Sequence, residues 1–363
     1  MSVDISIIGL PKSGKTTIFN ALTGGKARTE SPTSNIGVGK VPDPRLNTLA
    51  DWLHPKKLVS AEVRYFDIGA SVKSLAKDLG ISGELLNQLS QVDALLAVVR
   101  AFTDDSIPHV QGSLNIDRDI MATNLELTFS DMAIIERRLE RINLSLKGAK
   151  PLERQGLLRE QELLAKFQAS LGKEVSIREQ GLSPDETRAI ANYQFLSAKP
   201  LLIVVNIGED QLPQAASLEA ELNSRYQRPK CRVITLCGKL EMELAQLDES
   251  DAAVFRTELG LKESGLDRTI RASYELLGLI TFFTTVSDEV KAWPIPSSTS
   301  ALQAAGKIHT DIERGFIRAE VISFDDLVRC GGLAEARKKG LLRLEGKNYT
   351  VQDGDVITFL FNV

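Results

Sequence analysis

An eight-residue segment near the start of the chain has the residue types and spacing of a phosphate-binding loop. Residues 9–16 read GLPKSGKT, which satisfies the pattern GxxxxGK[ST]. The glycines allow successive main-chain N–H groups to converge on phosphate oxygens at a helix N-terminus, whose partial positive charge favours anions. We predict that Lys15 neutralises the β- and γ-phosphates of a nucleotide and that the Thr16 hydroxyl ligates Mg²⁺. The predicted nucleotide contacts here are Lys12, Ser13, Gly14, Lys15, Thr16 and Thr17.

The loop needs a carboxylate at the end of a nearby strand, which holds the Mg²⁺ through its water shell. Asp67 closes the strand-like segment 63–68 and is the predicted metal partner of Thr16. Many switch GTPases continue from this aspartate as Asp-x-x-Gly, whose glycine N–H meets the γ-phosphate. Residues 67–71 read DIGAS, so the glycine comes one position early and Ser71 stands where a water-orienting glutamine is often found. A loop aspartate without a metal role is the alternative for Asp67.

A second strand end carries the candidate base-recognition residues. Residues 206–209 read NIGE, where GTPases carry Asn-Lys-x-Asp and the aspartate accepts both guanine N–H donors. Ile207 replaces the lysine, and Glu209 is one methylene longer than the aspartate; either change spoils a bidentate guanine site. Adenine needs no such carboxylate, because main-chain carbonyls and Asn206 can meet its amino group. Capping of a turn by Asn206 and Glu209 is the alternative. The predicted base-side residues are Asn206, Ile207, Glu209, Cys237 and Gly238.

Strands alternating with helices must position these residues. Near-continuous apolar runs at 3–10, 93–100 and 200–206 are typical of buried strands in a parallel sheet, and 63–68 supplies another strand. A helical stretch follows the phosphate-loop segment directly. The pattern predicts a doubly wound α/β domain.

A long helical block interrupts the strands of this domain. Apolar residues follow coiled-coil spacings on either side of a hairpin-like turn at 148–151, and a third helix begins at Ser183 with Glu186 closing a capping box. The pattern predicts an antiparallel helical arm inserted at about 117–197. The two apolar series are Leu125, Met132, Ile135, Leu139, Ile142 and Leu146, then Leu157, Leu164, Phe167 and Leu171.

Beyond residue 277 the sequence changes character. Segments 279–283 and 316–322 are strand-like, and the chain closes on another such run, which predicts a separate small α+β domain over 278–363 after a first domain over 1–277. The 363 residues carry a formal net charge of −4, so a basic field over the whole chain for nucleic acid is excluded. The sequence contains three scattered cysteines, no membrane-length apolar run and no signal segment, which predicts a cytoplasmic protein.

Taken together, these motifs resemble the YchF branch of the Obg-related P-loop proteins, the Obg-like ATPases. The resemblance covers nearly the whole chain. Besides the phosphate loop and residues 206–209, it rests on 41–46 (VPDPRL), 261–267 (LKESGLD), 303–311 (QAAGKIHTD), 315–320 (GFIRAE) and 351–363 (VQDGDVITFLFNV).

The resemblance implies a P-loop NTPase domain with an inserted antiparallel coiled-coil arm and a C-terminal β-grasp (TGS) domain. It also implies binding and hydrolysis of ATP at least as good as of GTP, with Mg²⁺, and association with ribosomes or RNA. In the family a histidine replaces the missing glutamine as the residue that positions water. Residues 107–112 (IPHVQG) match the surroundings of that histidine, so His109 is the predicted catalytic residue; a loop histidine without a role is the alternative.

Both switch segments depart from the family pattern. The family's first switch carries a Phe-x-Thr-Ile-Glu-Pro-Asn run whose threonine binds Mg²⁺, whereas residues 28–35 read RTESPTSN. Ser31 and Thr33 are both candidates for that role. Gly69-Ala70 reverses the family's order, and residues 71–74 lack the glycine-rich second switch, which indicates slow or absent hydrolysis with binding retained.

Basic residues outnumber acidic ones along the predicted arm, which suits a phosphate backbone, although a solvated face of paired charges is equally consistent with the count. Family resemblance favours RNA, and ribosomal RNA in particular. Three hypotheses remain: an ATPase switch, a nucleotide-dependent adaptor that does not hydrolyse, and a GTPase. The basic residues are Arg137, Arg138, Arg141, Lys147, Lys150, Arg154, Arg159 and Lys166.

Overall fold

The computed structural model describes residues 3–25, 28–31, 34–68, 83–286 and 288–362. The chain divides into two compact units. The larger comprises Asp4–Val38 and Arg64–Thr269, and the smaller comprises Met1–Val3, Gly39–Val63 and Ile270–Val363. This division differs from a single cut after residue 277 mainly in the segment Gly39–Val63. Thr33 and the second-switch residues 69–74 lie outside the described residues.

The larger unit is built on a seven-stranded sheet, with elements numbered in chain order through both units. Its strands are β1 (Val3–Gly9), β2 (Arg28–Ser31), β3 (Ser34–Lys40), β5 (Glu62–Ile68), β6 (Ala94–Arg100), β7 (Leu201–Asn206) and β8 (Cys231–Leu236). Its helices are α1 (Lys15–Leu22), α3 (Gly83–Gln91), α4 (Ile116–Ser145), α5 (Pro151–Leu171), α6 (Pro184–Ile190), α7 (Ala215–Tyr226), α8 (Gly238–Leu244) and α9 (Glu249–Glu258). Helix α10 (Gly265–Leu276) begins in this unit and passes into the smaller one at Ile270.

The strand order is β2-β3-β5-β1-β6-β7-β8. Strands β1, β6, β7 and β8 are parallel neighbours. Every residue of β6 and β7 is buried, as the continuous apolar runs predicted for strands covered on both faces. The register pairs Gly9 with Val98, Arg100 with Asn206, and Asn206 with Leu236, so the strand ends that precede the predicted nucleotide segments share one edge of the sheet.

The predicted helical arm is present between β6 and β7. Helices α4 and α5 are joined by a short turn. The contacts Arg138–Glu160 and Leu146–Arg154 show that the chain numbers rise along α4 as they fall along α5, as an antiparallel pair requires. Helix α6 begins after Ser183, whose capping box with Glu186 is formed as predicted. The apolar cluster of the arm contains Ile135, Ile142, Leu164, Phe167, Leu171, Ile177, Ile190 and Phe195.

The smaller unit contains a six-stranded mixed sheet in the order β12-β11-β13-β9-β10-β4. Its strands are β4 (Lys57–Val59), β9 (Leu279–Val286), β10 (Glu289–Pro296), β11 (Phe316–Ser323), β12 (Arg343–Glu345) and β13 (Asp355–Phe361). Its remaining helices are α2 (Pro44–Leu53), α11 (Ala301–Ile308), α12 (Thr310–Arg314), α13 (Phe324–Cys330) and α14 (Leu333–Lys338). Strand β4 joins an edge by pairing in parallel with β10, which explains why Gly39–Val63 belongs to this unit.

The motif at 41–46 is anchored within the smaller unit. Arg45 donates to Asp43 and to Asp353, the latter at 2.7 Å, and its guanidinium lies 5.3 Å from the ring centre of Phe283. Asp353 also accepts the main-chain N–H of Thr281 at 2.8 Å. One arginine therefore connects two of the resemblance-carrying motifs, at 41–46 and 351–363.

Candidate nucleotide-binding site

The loop between β1 and α1 has the backbone that a phosphate cradle requires. Gly9 and Gly14 have φ angles of 145° and 94°, and Lys12 has a φ of 63°. A Cβ atom at Gly9 would lie 2.4 Å from the carbonyl oxygen of Val98, and one at Gly14 would lie 2.2 Å from the amide nitrogen of Asn206. Neither position accepts a side chain, because both combine a left-handed backbone with close neighbours.

The first turn of α1 presents main-chain donors to this loop. Gly14 is the N-cap and provides no side-chain cap, and Ile18 N–H donates to Gly14 at 3.0 Å. The N–H groups of Lys15, Thr16 and Thr17 precede this bond, in the part of a helix where donors lack intrahelical partners. This turn is therefore an anion-binding terminus of the kind predicted. Ser13 is buried, Lys12 is exposed, and both lie in the same loop.

The Lys15 side chain folds over the loop that precedes it. Its Nζ donates to the carbonyl oxygens of Leu10 at 3.0 Å and Gly9 at 3.3 Å. Burial lowers the pKa of Lys15, and the negative charge of Asp67 acts in the opposite direction. Among the described residues, the partly buried ammonium group therefore has only neutral hydrogen-bond partners. Such a group is suited to binding an anionic partner such as a phosphate.

Thr16 and Asp67, predicted as a metal pair, are in contact. Thr16 Oγ1 donates to Asp67 Oδ2 at 2.9 Å. Asp67 lies near the end of β5 and is 3% exposed, and within the described residues its Oδ1 atom is buried without a hydrogen-bond partner. An unpaired buried carboxylate oxygen is costly unless a ligand satisfies it. The hydroxyl and the carboxylate together are the hard oxygen donors that Mg²⁺ prefers.

Asn206 connects the phosphate loop to the loop after β8. Its Nδ2 donates to the carbonyl of Ser13 at 3.1 Å, and its Oδ1 accepts the N–H of Gly238 at 2.9 Å. The side chain is 4% exposed, so it is a buried bridge between the two loops. Ile207 is 2% exposed and packs in the main apolar core, as does Cys237, whose pKa is raised by burial. The N–H of Ile207 donates to the carbonyl of Leu236, and the carbonyl of Cys237 accepts the N–H of Glu241, both at 3.0 Å.

Glu209 and Lys239 face each other on the surface of this region. Lys239 Nζ donates to Glu209 Oε1 at 3.0 Å, and the two side chains are 69% and 52% exposed. The interaction raises the pKa of Lys239. Glu209 is therefore engaged by a cation, and Lys239 joins the predicted base-side loop through a contact that spacing alone did not indicate.

His109 lies in the segment between β6 and α4, with its side chain 5% exposed. Its Nε2 is 2.9 Å from Asp119 Oδ2, and its Nδ1 accepts the N–H of Gln111 at 3.2 Å. A small recess contains His109 and Asp119 together with Leu10, Pro11 and Ser13 of the phosphate loop. The predicted catalytic histidine is therefore close to this loop, but its ring is buried against an aspartate.

Relatives of known family resemble the chain over its full length. It is 40% identical to "Ribosome-binding ATPase YchF" of Bacillus subtilis and 39% identical to the protein of that name from Escherichia coli O157:H7, each over 100% of both chains. A family model described as YchF-GTPase_C, a protein of unknown function (DUF933), matches residues 279–362. The chain belongs to the YchF family. A solved structure described as that of the Schizosaccharomyces pombe YchF GTPase has a TM-score of 0.86 and 29% identity, and covers 99% of this chain and 98% of its own.

Membership of the YchF family confirms the predicted resemblance and fold class. The chain is a P-loop NTPase with an inserted helical arm and a C-terminal domain. No helix within the described ranges combines the length and apolar character that a bilayer crossing demands. In the described part of this YchF chain, we find no cluster of three or more His, Cys, Asp or Glu side chains that could hold a metal ion.

Three residues of this YchF protein escaped the sequence analysis. Asp119 and Arg118 surround the predicted catalytic histidine, and Arg100 is a buried cation that donates to the carbonyls of Phe102 and Ile107 at 3.1 and 2.8 Å. Asp119 resembles an ordinary acidic residue in the first turn of a helix, where negative charge is common. In the sequence, the feature that could have pointed to this region is Arg100, a charged residue at the end of the otherwise apolar strand β6.

Proposed function

We propose that this chain binds ATP with Mg²⁺ in the loop between β1 and α1, hydrolyses the ATP, and acts as a nucleotide-dependent switch that associates with the ribosome. The observation that carries the proposal is the group of Lys15, Thr16 and Asp67. Three groups meet beside the first turn of a helix: a partly buried ammonium group that donates to neutral carbonyls, a hydroxyl, and a carboxylate with an oxygen that has no partner among the described residues. This combination suits a phosphate chain with its metal.

Magnesium fits the residues present. The Thr16 hydroxyl and the Asp67 carboxylate would hold the ion, whose charge offsets that of the β- and γ-phosphates when it is bound. On this chain's side, Lys15 would exchange the Gly9 and Leu10 carbonyls for phosphate oxygens. The N–H groups of the first turn of α1 would orient the phosphate chain.

Adenine is favoured over guanine by the surroundings of Glu209. A guanine-reading carboxylate needs both oxygens for the two guanine N–H donors, whereas Glu209 is paired with Lys239. At position 207, where GTPases carry the lysine that covers the base, this chain has a buried isoleucine. Main-chain carbonyls can accept the adenine amino group. The names of relatives divide on this point, since the bacterial ones are called ATPases and the fission-yeast one a GTPase.

The names of the bacterial relatives support ribosome association, which would place the protein in the cytoplasm. The arm offers a suitable surface. Within the described chain, the side chains of Arg141, Lys147, Lys150 and Arg159 are exposed and have no hydrogen-bond or ion-pair partner. Arg138 and Lys166 are paired with Glu160 and Glu186. Unpaired cations are the ones able to displace counterions from an RNA backbone.

A binding titration tests the nucleotide assignment. Fluorescent ATP and GTP analogues are titrated against the protein in Mg²⁺, with unlabelled ATP and GTP as competitors. We expect ATP to bind at least as tightly as GTP, and about tenfold tighter if the Glu209–Lys239 pair persists in the complex. A clear preference for GTP would support the GTPase hypothesis instead, and binding of neither would reject the site.

Single-turnover hydrolysis of ATP, with and without ribosomes, separates the switch from the adaptor. Product formation that ribosomes change supports the switch. The adaptor remains a second candidate function because His109 is buried against Asp119 instead of facing open solvent. Tight ATP binding without product under both conditions would support the adaptor and reject hydrolysis.

A further inference from the structure

The ring of His109 is restrained on both of its nitrogens. Nδ1 accepts the N–H of Gln111 at 3.2 Å, so the ring proton is assigned to Nε2, which faces Asp119 Oδ2 at 2.9 Å. The direction of this contact departs from that of a well-aligned hydrogen bond, since Oδ2 of Asp119 has no partner by hydrogen-bond geometry within the described residues. The ring is thus held close but not by an optimal bond.

Asp119 is part of the first turn of the arm. Helix α4 is capped by the Asn115 side chain, which accepts the N–H of Arg118 at 2.9 Å, and the N–H of Asp119 donates to the carbonyl of Asn115 at 3.1 Å. Arg118 donates to Asp119 Oδ1 at 3.1 Å and to the carbonyl of Ser113 at 2.6 Å. The carboxylate that faces His109 therefore has its position set by the start of α4.

The other end of the same segment is fixed to the sheet. The N–H of Ala101 donates to the carbonyl of Asn206 at 2.8 Å, and Arg100 holds the carbonyl of Ile107 at 2.8 Å. Asn206 also bonds to the phosphate loop through Ser13. His109 is consequently placed between a part anchored at the nucleotide loop and a part anchored at the arm.

We infer that Asp119 is a positioning residue that holds His109 in its buried place beside the phosphate loop, and that the first turn of α4 thereby restrains the histidine. The inference rests on the proposed function for its effect on hydrolysis. A displacement of the first turn of α4, such as a partner bound to the arm would produce, changes the restraint on His109. This contact couples the arm to the hydrolysis site.

Chemical modification tests the restraint without reference to activity. Nucleotide-free protein is treated with diethylpyrocarbonate, and the rate at which each histidine is modified is measured by mass spectrometry. In Asp119→Ala we expect His109 to react about tenfold faster than in the parent. The exposed His54 and His309 serve as internal references whose rates should not change. An unchanged His109 rate would overturn the inference.

Single-turnover kinetics test the consequence. Asp119→Ala should raise the ATP hydrolysis rate constant several-fold, about three- to tenfold, with the ATP dissociation constant within about twofold of the parent. His109→Ala and the double variant should hydrolyse at the same low rate, because the gain requires the histidine. A double variant faster than His109→Ala, or an Asp119→Ala variant slower than the parent, would overturn the inference.

Controls address folding and charge. Asp119→Asn keeps the side-chain shape. It should raise the His109 modification rate and the hydrolysis rate constant by smaller factors than Asp119→Ala, so the test does not depend on one substitution. Asp105→Ala removes an exposed carboxylate from the same segment and should match the parent in both assays. If the parent and every variant lack ATP turnover, proposed hydrolysis fails while the modification rates still decide whether Asp119 holds His109.

Discussion

Two buried aspartates near the phosphate loop differ in what their oxygens contact. Asp67 has one oxygen bonded to Thr16 and, among the described residues, one without a partner. Arg118 donates to one oxygen of Asp119. The other also lacks a hydrogen bond of good geometry among the described residues, but it faces His109 Nε2 at 2.9 Å. Both are almost fully buried, at 3% and 2% exposure, so burial does not distinguish them. The neighbour of the oxygen without a hydrogen bond does, because a histidine ring nitrogen faces that oxygen in Asp119. This difference in free coordination capacity assigns a ligand-binding role to Asp67 and a holding role to Asp119.

The largest effect is expected from Lys15→Ala. The charge of the Lys15 ammonium interacts with Asp67, so removing this side chain tests whether the nucleotide binds beside Asp67. We expect ATP affinity to fall by about 100-fold or more, since a charge-assisted contact to phosphate is lost. The melting temperature should stay within about 2 °C, because the Lys15 side chain bonds only to carbonyls of its own loop among the described residues.

Lys347→Ala is the matched control, because it removes an exposed lysine from the smaller unit. Equilibrium titration with a fluorescent ATP analogue, followed by thermal unfolding of the same samples, measures both quantities. Unchanged ATP affinity in Lys15→Ala would contradict the site and would leave Asp67 without the role that the comparison gives it.

Local patterns made some of these features predictable. The phosphate loop, the buried strands and the Ser183–Glu186 capping box each depend on residues that are neighbours in sequence, so spacing alone identified them. Asp67 could be predicted as a metal partner because it lies at the end of a strand, and Thr16 does contact it.

Other features depend on contacts between distant parts of the chain. Asn206 was expected to meet a base, yet its amide is engaged by Ser13 and Gly238, a bridge that no local pattern encodes. The association of Arg45 with Asp353 joins residues far apart in sequence, which is why the segment Gly39–Val63 was assigned to the first domain from sequence. Asp119 escaped notice because its partner His109 lies in an irregular loop.

A third buried aspartate sharpens the comparison, because both of its oxygens are satisfied by main chain. Asp131 of α4 accepts the N–H of Leu196 at 2.8 Å and that of Ser197 at 2.7 Å. Burial raises the pKa of Asp131 from 3.8 to about 6, although these bonds and the charge of Arg178 act in the opposite direction. This aspartate has a structural role at the arm, and its protonation should influence stability instead of ligand binding.

Asp131→Asn should therefore change the pH dependence of stability. Since the folded-state pKa of Asp131 is raised, its stabilising contribution is complete below about pH 4 and is lost as the pH rises through about 6. Relative to Asp131→Asn, the parent should lose about 2.5 kcal/mol of unfolding free energy between pH 4 and pH 7. Urea unfolding at both pH values measures this, with Asp51→Asn as an exposed control. Identical pH dependence in parent and variant would refute it.

The smallest and most specific effect is expected from Asp67→Asn. The amide keeps the shape and can still accept from Thr16, but a neutral oxygen is a poor ligand for Mg²⁺. In the parent, we expect Mg²⁺ to tighten ATP binding by about tenfold, or about 1.4 kcal/mol, and in Asp67→Asn by less than about threefold. Binding in EDTA should be the same for both proteins, because the carboxylate acts through the ion. Asp119→Asn, titrated in the same way, should keep the full response to Mg²⁺, since its oxygens already face Arg118 and His109. If the two asparagine variants lose the response equally, free coordination capacity does not separate the two aspartates, and the roles assigned to them from it are wrong.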